Sequence, residues 1–194
     1  MNRTKPSTDS AYARDSLLSA KLRVPAGTPS EAVSRPRLSE RLNEGLKAKL
    51  TVVCAPAGYG KSTAAGQWAR RLPSGAGWVS LDEGDNELWR FWTYVVAAIE
   101  TASPGFAPFA AKSRALPGEQ SPEPFLTSLI KELERMDEPL VLVLDDFHCV
   151  SDVRILKSVA FFVEYTPENV HLYLIGRSKP KIPLSRLESR RMAV

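Results

Sequence analysis

The sequence predicts an α/β fold, a three-layer sandwich in which a parallel sheet is covered by helices on both faces. Three observations predict it. Four short apolar runs, Leu50–Cys54, Trp78–Leu81, Leu140–Leu144 and Val170–Ile175, alternate with stretches of helical periodicity. A glycine-bearing loop links the first run directly to a helix. Polar groups follow the ends of the runs, where sheets of this class gather their ligands.

The elements follow in order. Met1–Ser16 is polar and aperiodic, which predicts a disordered tail ahead of one domain over 17–194. Leu17–Ser34 reads as an irregular lead-in with Pro25, Gly27 and Pro29. Pro36 suits a helix start, and Leu38, Leu42 and Leu46 share one face of a helix ending near Lys49. A helix from Lys61 to near Leu72 follows the first strand, and Pro73–Gly77 makes a turn. The second strand runs into an acidic loop, Asp82–Asn86, with Asn86 as N-cap of a helix over Glu87–Glu100. Leu88, Phe91, Trp92, Val95, Val96 and Ile99 form its apolar stripe, and Trp89 lies off it. Thr101–Gln120, interrupted by Pro104, Pro108 and Pro117, reads as a loop of mixed order. Ser121-Pro122-Glu123 opens a helix to near Met136, and Ser151 caps another over Asp152–Tyr165.

Composition bounds the function classes. A chain of 194 residues with 43% hydrophobic content supports one core. The balance of 26 basic to 22 acidic residues is mildly basic, and much of the excess falls in the tails, which favours solvated surface over a nucleic-acid grip. No helix-turn-helix, zinc-finger or RNA-recognition signature is visible. Cys54 and Cys149 fall at strand ends, where free thiols behave as small apolar groups, so a reduced, intracellular state is expected. The apolar runs are far shorter than the roughly 20 residues that cross a bilayer, so the expectation is a cytoplasmic protein without membrane contact.

The chemistry centres on Ala55-Pro56-Ala57-Gly58-Tyr59-Gly60-Lys61-Ser62-Thr63, the relaxed form of a phosphate-binding P-loop in which Ala55 replaces the usual first glycine. Main-chain amides from Ala57 to Thr63 curl around phosphates, and the helix N-terminus beneath adds partial positive charge. Lys61 reaches between the outer phosphates, and the Ser62 hydroxyl is placed to ligate Mg²⁺. Asp145, at the end of an all-apolar strand, is costly unless paired, and Mg²⁺ is the candidate partner, reached through water. Asp146 is the candidate to orient, or accept a proton from, the water attacking a γ-phosphate. Arg177, after the fourth strand, is the candidate donor to that phosphate. His148 and His171 read as structural.

With these segments in view, the sequence resembles the large ATP-dependent transcriptional regulators of the LuxR type. The phosphate loop, Trp78–Asn86 and Leu142–His148 carry the resemblance, together with Lys21–Pro25, Val33–Leu38, Gly176–Ser178 and Pro183–Leu187. It covers nearly the whole chain from Leu17. The resemblance implies a signal-transduction P-loop ATPase that binds ATP and ADP with Mg²⁺. ATP favours an open, self-associating state, ADP a resting one, and slow hydrolysis acts as a timer. It implies that Lys61 and Ser62 hold phosphate and Mg²⁺, that Asp145 and Asp146 are paired acids, that Arg177 senses the γ-phosphate, and that Arg35 or Arg37 borders the adenine. Gly176 departs from the Thr or Ser that relatives often carry before the sensor arginine.

Relatives continue through a winged helix, helical repeats and a DNA-binding helix-turn-helix. DNA contact is therefore expected only through a C-terminal region beyond this sequence, which reads as a truncated fragment. The family's fifth strand should begin near Met192 beside the phosphate-loop strand, and since the sequence stops at Val194 the expectation is that Leu50–Cys54 is left as an exposed apolar edge. A second function class compatible with the loop is a stand-alone enzyme such as a small-molecule kinase. Thr101–Gln120 lacks an arginine-rich lid, although Lys112 and Arg114 keep that option open.

Overall fold

The computed structural model describes residues 19–25, 36–113 and 121–182, with no side-chain description for 111–113. The expected N-terminal tail, Arg35, Arg114, the side chain of Lys112 and the strand near Met192 lie outside the described residues.

Among the described residues four parallel strands, β1 (Leu50–Cys54), β2 (Gly77–Ser80), β3 (Leu140–Asp145) and β4 (Val170–Gly176), form one sheet in the order β1-β4-β3-β2. Among the described residues six α-helices accompany it: α1 (Pro36–Glu44), α2 (Lys61–Ala69), α3 (Leu88–Ala102), α4 (Ala107–Ser113), α5 (Glu123–Leu133) and α6 (Val153–Tyr165). The predicted α/β sandwich is the fold observed.

Alternation along each strand sorts side chains onto two faces. Val79, Leu142, Leu144, Leu172 and Leu174 meet Phe91, Trp92, Leu129, Val159 and Phe162 in the larger core. Trp78, Val141, Val143, Tyr173 and Ile175 meet Leu42, Ala65, Trp68 and Ala69 in the smaller one. Because both faces are covered, the central strands read as unbroken apolar runs. Tyr173 locks α1 to the sheet by donating its hydroxyl to Leu42 O at 2.7 Å.

Several local expectations differ from the structure. The first helix ends at Glu44 and tightens into a 3-10 turn over Gly45–Lys47. A Cβ at Gly45 would lie 2.3 Å from Thr51 Oγ1 and 2.8 Å from the Tyr173 hydroxyl, so only glycine lets the chain pass there. α2 stops at Ala69 and α5 at Leu133, each a few residues before the expected end. The N-cap of α3 is Glu87, not Asn86: its carboxylate accepts from Trp89 and Arg90 N–H at 3.0 and 2.7 Å. Asp152, not Ser151, caps α6 by accepting from Arg154 N–H at 2.7 Å.

Thr101–Gln120 is largely helical over its described part. Its described part holds the end of α3, a 3-10 turn over Pro104–Phe106 and α4, ordered because Phe106 and Ala110 are buried in the larger core. Trp89 packs edge-on against Phe125 at 5.9 Å. Cys54 is exposed, since it ends an edge strand paired only with β4 among the described residues. No described helix is long and apolar enough to cross a membrane.

Phe91→Ala, at a fully buried position, is expected to lower unfolding free energy by about 3–5 kcal/mol. Val153→Ala, on the exposed face of α6, should stay within about 0.5 kcal/mol in the same denaturant titration.

Candidate functional site

In a parallel sheet every strand delivers its C-terminus to the same edge, and three of those ends build the site. β1 passes into the glycine-bearing loop, where Ala55 N–H donates to Gly176 O at 3.3 Å, tying the loop to the end of β4. Gly58 (φ 80°) and Gly60 (φ 71°, ψ 27°) take left-handed conformations that side chains resist. Gly60 is also the N-cap of α2, and having no side chain it leaves the first-turn amides facing outward.

Lys61 folds its ammonium back across the loop, donating to Pro56 O at 2.9 Å. The Ser62 hydroxyl donates to Asp145 Oδ1 at 3.0 Å, joining the loop helix to the end of β3. The same oxygen accepts from Asp146 N–H at 2.9 Å. Asp145 is 3% exposed. Burial pushes its carboxyl above the usual carboxylate range and the adjacent Asp146 charge adds to this, while the Ser62 and Asp146 hydrogen bonds and the Lys61 charge oppose.

Asp146 adopts φ 55°, ψ 34°, rare for a non-glycine residue, which costs roughly 1–3 kcal/mol. That turn lifts its carboxylate out of the strand direction, and Oδ1 lies 3.7 Å from His148 Nδ1. His171 is buried in β4 with Nδ1 3.0 Å from Ala48 O, in keeping with a structural role. Arg177 is exposed just after β4. Burial raises the nearby Cys149 thiol, with the charges of Asp146, Glu83 and Asp82 adding and that of Arg177 opposing, which places all four charges around one end of the sheet.

Hydrogen bonds thus bring Ser62, Asp145 and Asp146 together, and the sheet register sets Gly176-Arg177 beside the loop. Ala57, Gly58, Tyr59 and Thr63 line the exposed loop, Tyr59 being 61% exposed. Arg37 stands exposed in the first turn of α1. Leu38, Arg41, Leu42 and Glu44 of α1 face Thr51–Cys54 across a groove of about 450 Å³ beside the loop.

The donor set fits Mg²⁺ held together with a phosphate ligand. Ser62 Oγ and the Asp145 carboxylate are hard oxygens, and a cation would compensate the buried charge. Among the described residues no three His, Cys, Asp or Glu side chains gather to hold a metal alone.

The chain is 37% identical over 177 residues to the HTH-type transcriptional regulators MalT of Yersinia pestis (strain Pestoides F), Yersinia pseudotuberculosis (strain YPIII) and Yersinia enterocolitica. That match covers 90% of this chain. Over that span the chain is MalT-like. It spans 19% of the length of these relatives. No protein-family model matches it.

The MalT-like chain carries a charged cluster that pattern reading missed. Lys21, buried in the 3-10 turn Ser19–Leu22, pairs with Asp85 at 2.5 Å and Asp82 at 2.6 Å and stands 5.1 Å over the Tyr94 ring. Arg90 joins Asp85 from α3 at 3.1 Å. A lysine in a polar lead-in looks like solvent surface, and only the separation of 64 residues closed by the fold reveals its partners. Burial pulls the Lys21 ammonium down, but its bonds to Asp82 and Asp85 outweigh that and hold it above its ordinary value.

Asp82 is held below the ordinary carboxylate value, first by the Lys21 hydrogen bond. A lowered carboxyl contributes stability above its unfolded-state value, and the contribution disappears as pH falls through the folded one. Asp82→Asn should therefore flatten the acid limb of the stability profile below about pH 4, read by urea unfolding across pH. An unchanged acid limb would show that the pair contributes nothing.

Proposed function

We propose that the chain is the ATP/ADP-binding switch domain of a MalT-like transcriptional regulator, with slow hydrolysis and Mg²⁺ as cofactor. The observation that carries the reading is the Ser62–Asp145 hydrogen bond of 3.0 Å, which sets a phosphate-loop hydroxyl against a buried acid at the adjoining strand end. Amides from Ala57 to Thr63 would cradle the phosphates, and Lys61 would leave Pro56 O for the outer pair. Ser62, with Asp145 acting through water, would hold Mg²⁺, which when bound neutralises charge between the phosphates.

Asp146 would orient the attacking water, and Arg177 would donate to the γ-phosphate. A charge-assisted contact of that kind contributes about 1.5–3 kcal/mol and disappears on hydrolysis, enough to bias a two-state equilibrium 10- to 150-fold. Arg35 or Arg37 is proposed at the adenine. In this reading the ATP state self-associates, and DNA is read by a region of the regulator other than this chain, as the relatives' helix-turn-helix name suggests.

At ATP·Mg²⁺ near 100 times Kd, binding should add about 2.7 kcal/mol, a rise in Tm of roughly 5–11 °C. Lys61→Ala should remove most of that rise, and Ser62→Ala the part that depends on Mg²⁺. Calorimetry that registers no heat with either ATP or ADP on folded protein would end the proposal. With labelled ATP, phosphate delivered to a small-molecule acceptor rather than water would favour a kinase instead.

A further inference from the structure

A continuous set of contacts runs from the lead-in to the segment after the paired acids. Lys21 holds Asp85, which is fully buried, and Asp82 together. Asp85 Oδ2 accepts from Asp82 N–H at 3.0 Å and Asp82 Oδ1 accepts from Gly84 N–H at 2.9 Å, so the two carboxylates close the turn Glu83–Asp85 reciprocally. The turn delivers Asn86. Its Oδ1 accepts from Ser151 N–H at 3.0 Å and Asp152 N–H at 2.8 Å, and its amide donates to Ser151 Oγ at 2.9 Å. Those groups follow the 3-10 turn Phe147–Cys149, whose N-cap is Asp146.

Packing alone does not call for an ammonium here. A methionine would fill the same volume against Tyr94, and a buried ion pair is a poor source of stability once desolvation is counted. What the ammonium adds is direction: it draws two carboxylates to one point and so sets the turn that ends on Asn86. Asp146 needs such support. A non-glycine residue at φ 55° persists only where its surroundings over-determine it. Asp145 Oδ1 grips its N–H from one side, and the Asn86 clamp restrains the chain beyond it on the other.

We propose that Lys21 is a positioning residue for the nucleotide site, acting through Asp82, Asp85 and Asn86 to fix the segment Asp146–Asp152. The inference rests on the reading of Asp146 as the residue that orients water. Lys21 then serves turnover rather than capture, because Lys61 and the loop amides that would hold the phosphates are not among the groups bonded to Lys21, Asp82, Asp85 or Asn86.

Lys21→Met, Lys21→Arg, Asn86→Ala and the Lys21→Met/Asn86→Ala double variant test it by ATP turnover, nucleotide calorimetry and amide hydrogen exchange. Lys21→Met should lower kcat about 10-fold while ATP affinity stays within about 2-fold, and should speed exchange at Ser151 and Asp152 by about 10-fold. Asn86→Ala, which leaves the buried charges intact, should give the same kcat loss, and the double variant should fall no further. Lys21→Arg should restore most of the loss. Unchanged kcat in Lys21→Met, an equal fall in affinity, or losses that multiply in the double variant would overturn the inference while leaving nucleotide binding in place. Should the wild type bind no nucleotide, the switch reading fails by itself, and unaltered exchange at Ser151 and Asp152 would then overturn the Lys21 linkage separately.

Discussion

A carboxylate held at the end of an all-apolar strand is the constraint on which the rest of the molecule turns. Asp145 closes β3, an inner strand covered on both faces, so water does not reach it freely. Its charge is tolerated because Ser62 Oγ and Asp146 N–H both point at Oδ1. Those donors come from the helix after β1 and from the turn after β3, and parallel topology alone brings them to one place. The burial that makes the group costly also makes a cation beside it more effective.

The two cores divide the labour. The larger, built on α3, α5 and α6, carries most of the big side chains, among them Phe91, Trp92 and Phe162. The smaller face presents α2, whose buried positions Ala64, Ala65, Gly66 and Ala69 are small, so the helix after the glycine-bearing loop lies close against the sheet. Trp68 is its one large anchor, its ring tilted against Tyr173 at 4.7 Å between centroids. The lead-in joins both halves: Leu22 packs on the larger core and Val24 on the smaller. Pro25 O accepts from Arg70 Nη1, at the C-terminal end of α2.

The legible parts were those encoded by short spacing. Strand cores, the stripe of α3 and the loop from Ala55 to Thr63 all depend on neighbours within a few residues, and each stands where its pattern put it. Helix ends were harder, because caps are competitive. Asn86 and Glu87 both suit the start of α3; the shorter Asn86 side chain turns to the amides of Ser151 and Asp152 and leaves the capping of α3 to Glu87. The segment holding Pro104 and Pro108 looked broken, yet Phe106 and Ala110 gain enough burial to order it.

By itself the sequence determined the layer architecture, the glycine-bearing loop after β1 and the pair of acids at the end of β3, since period, strand length and motif spacing are local properties of the chain. Tertiary structure alone decided that Ser62 meets Asp145, that Lys21 is buried between two acids, and that Asn86 holds the start of α6. Each of those contacts joins residues more than 60 apart. Such pairs are selected by where a closed sheet edge places them, and no local pattern records that placement.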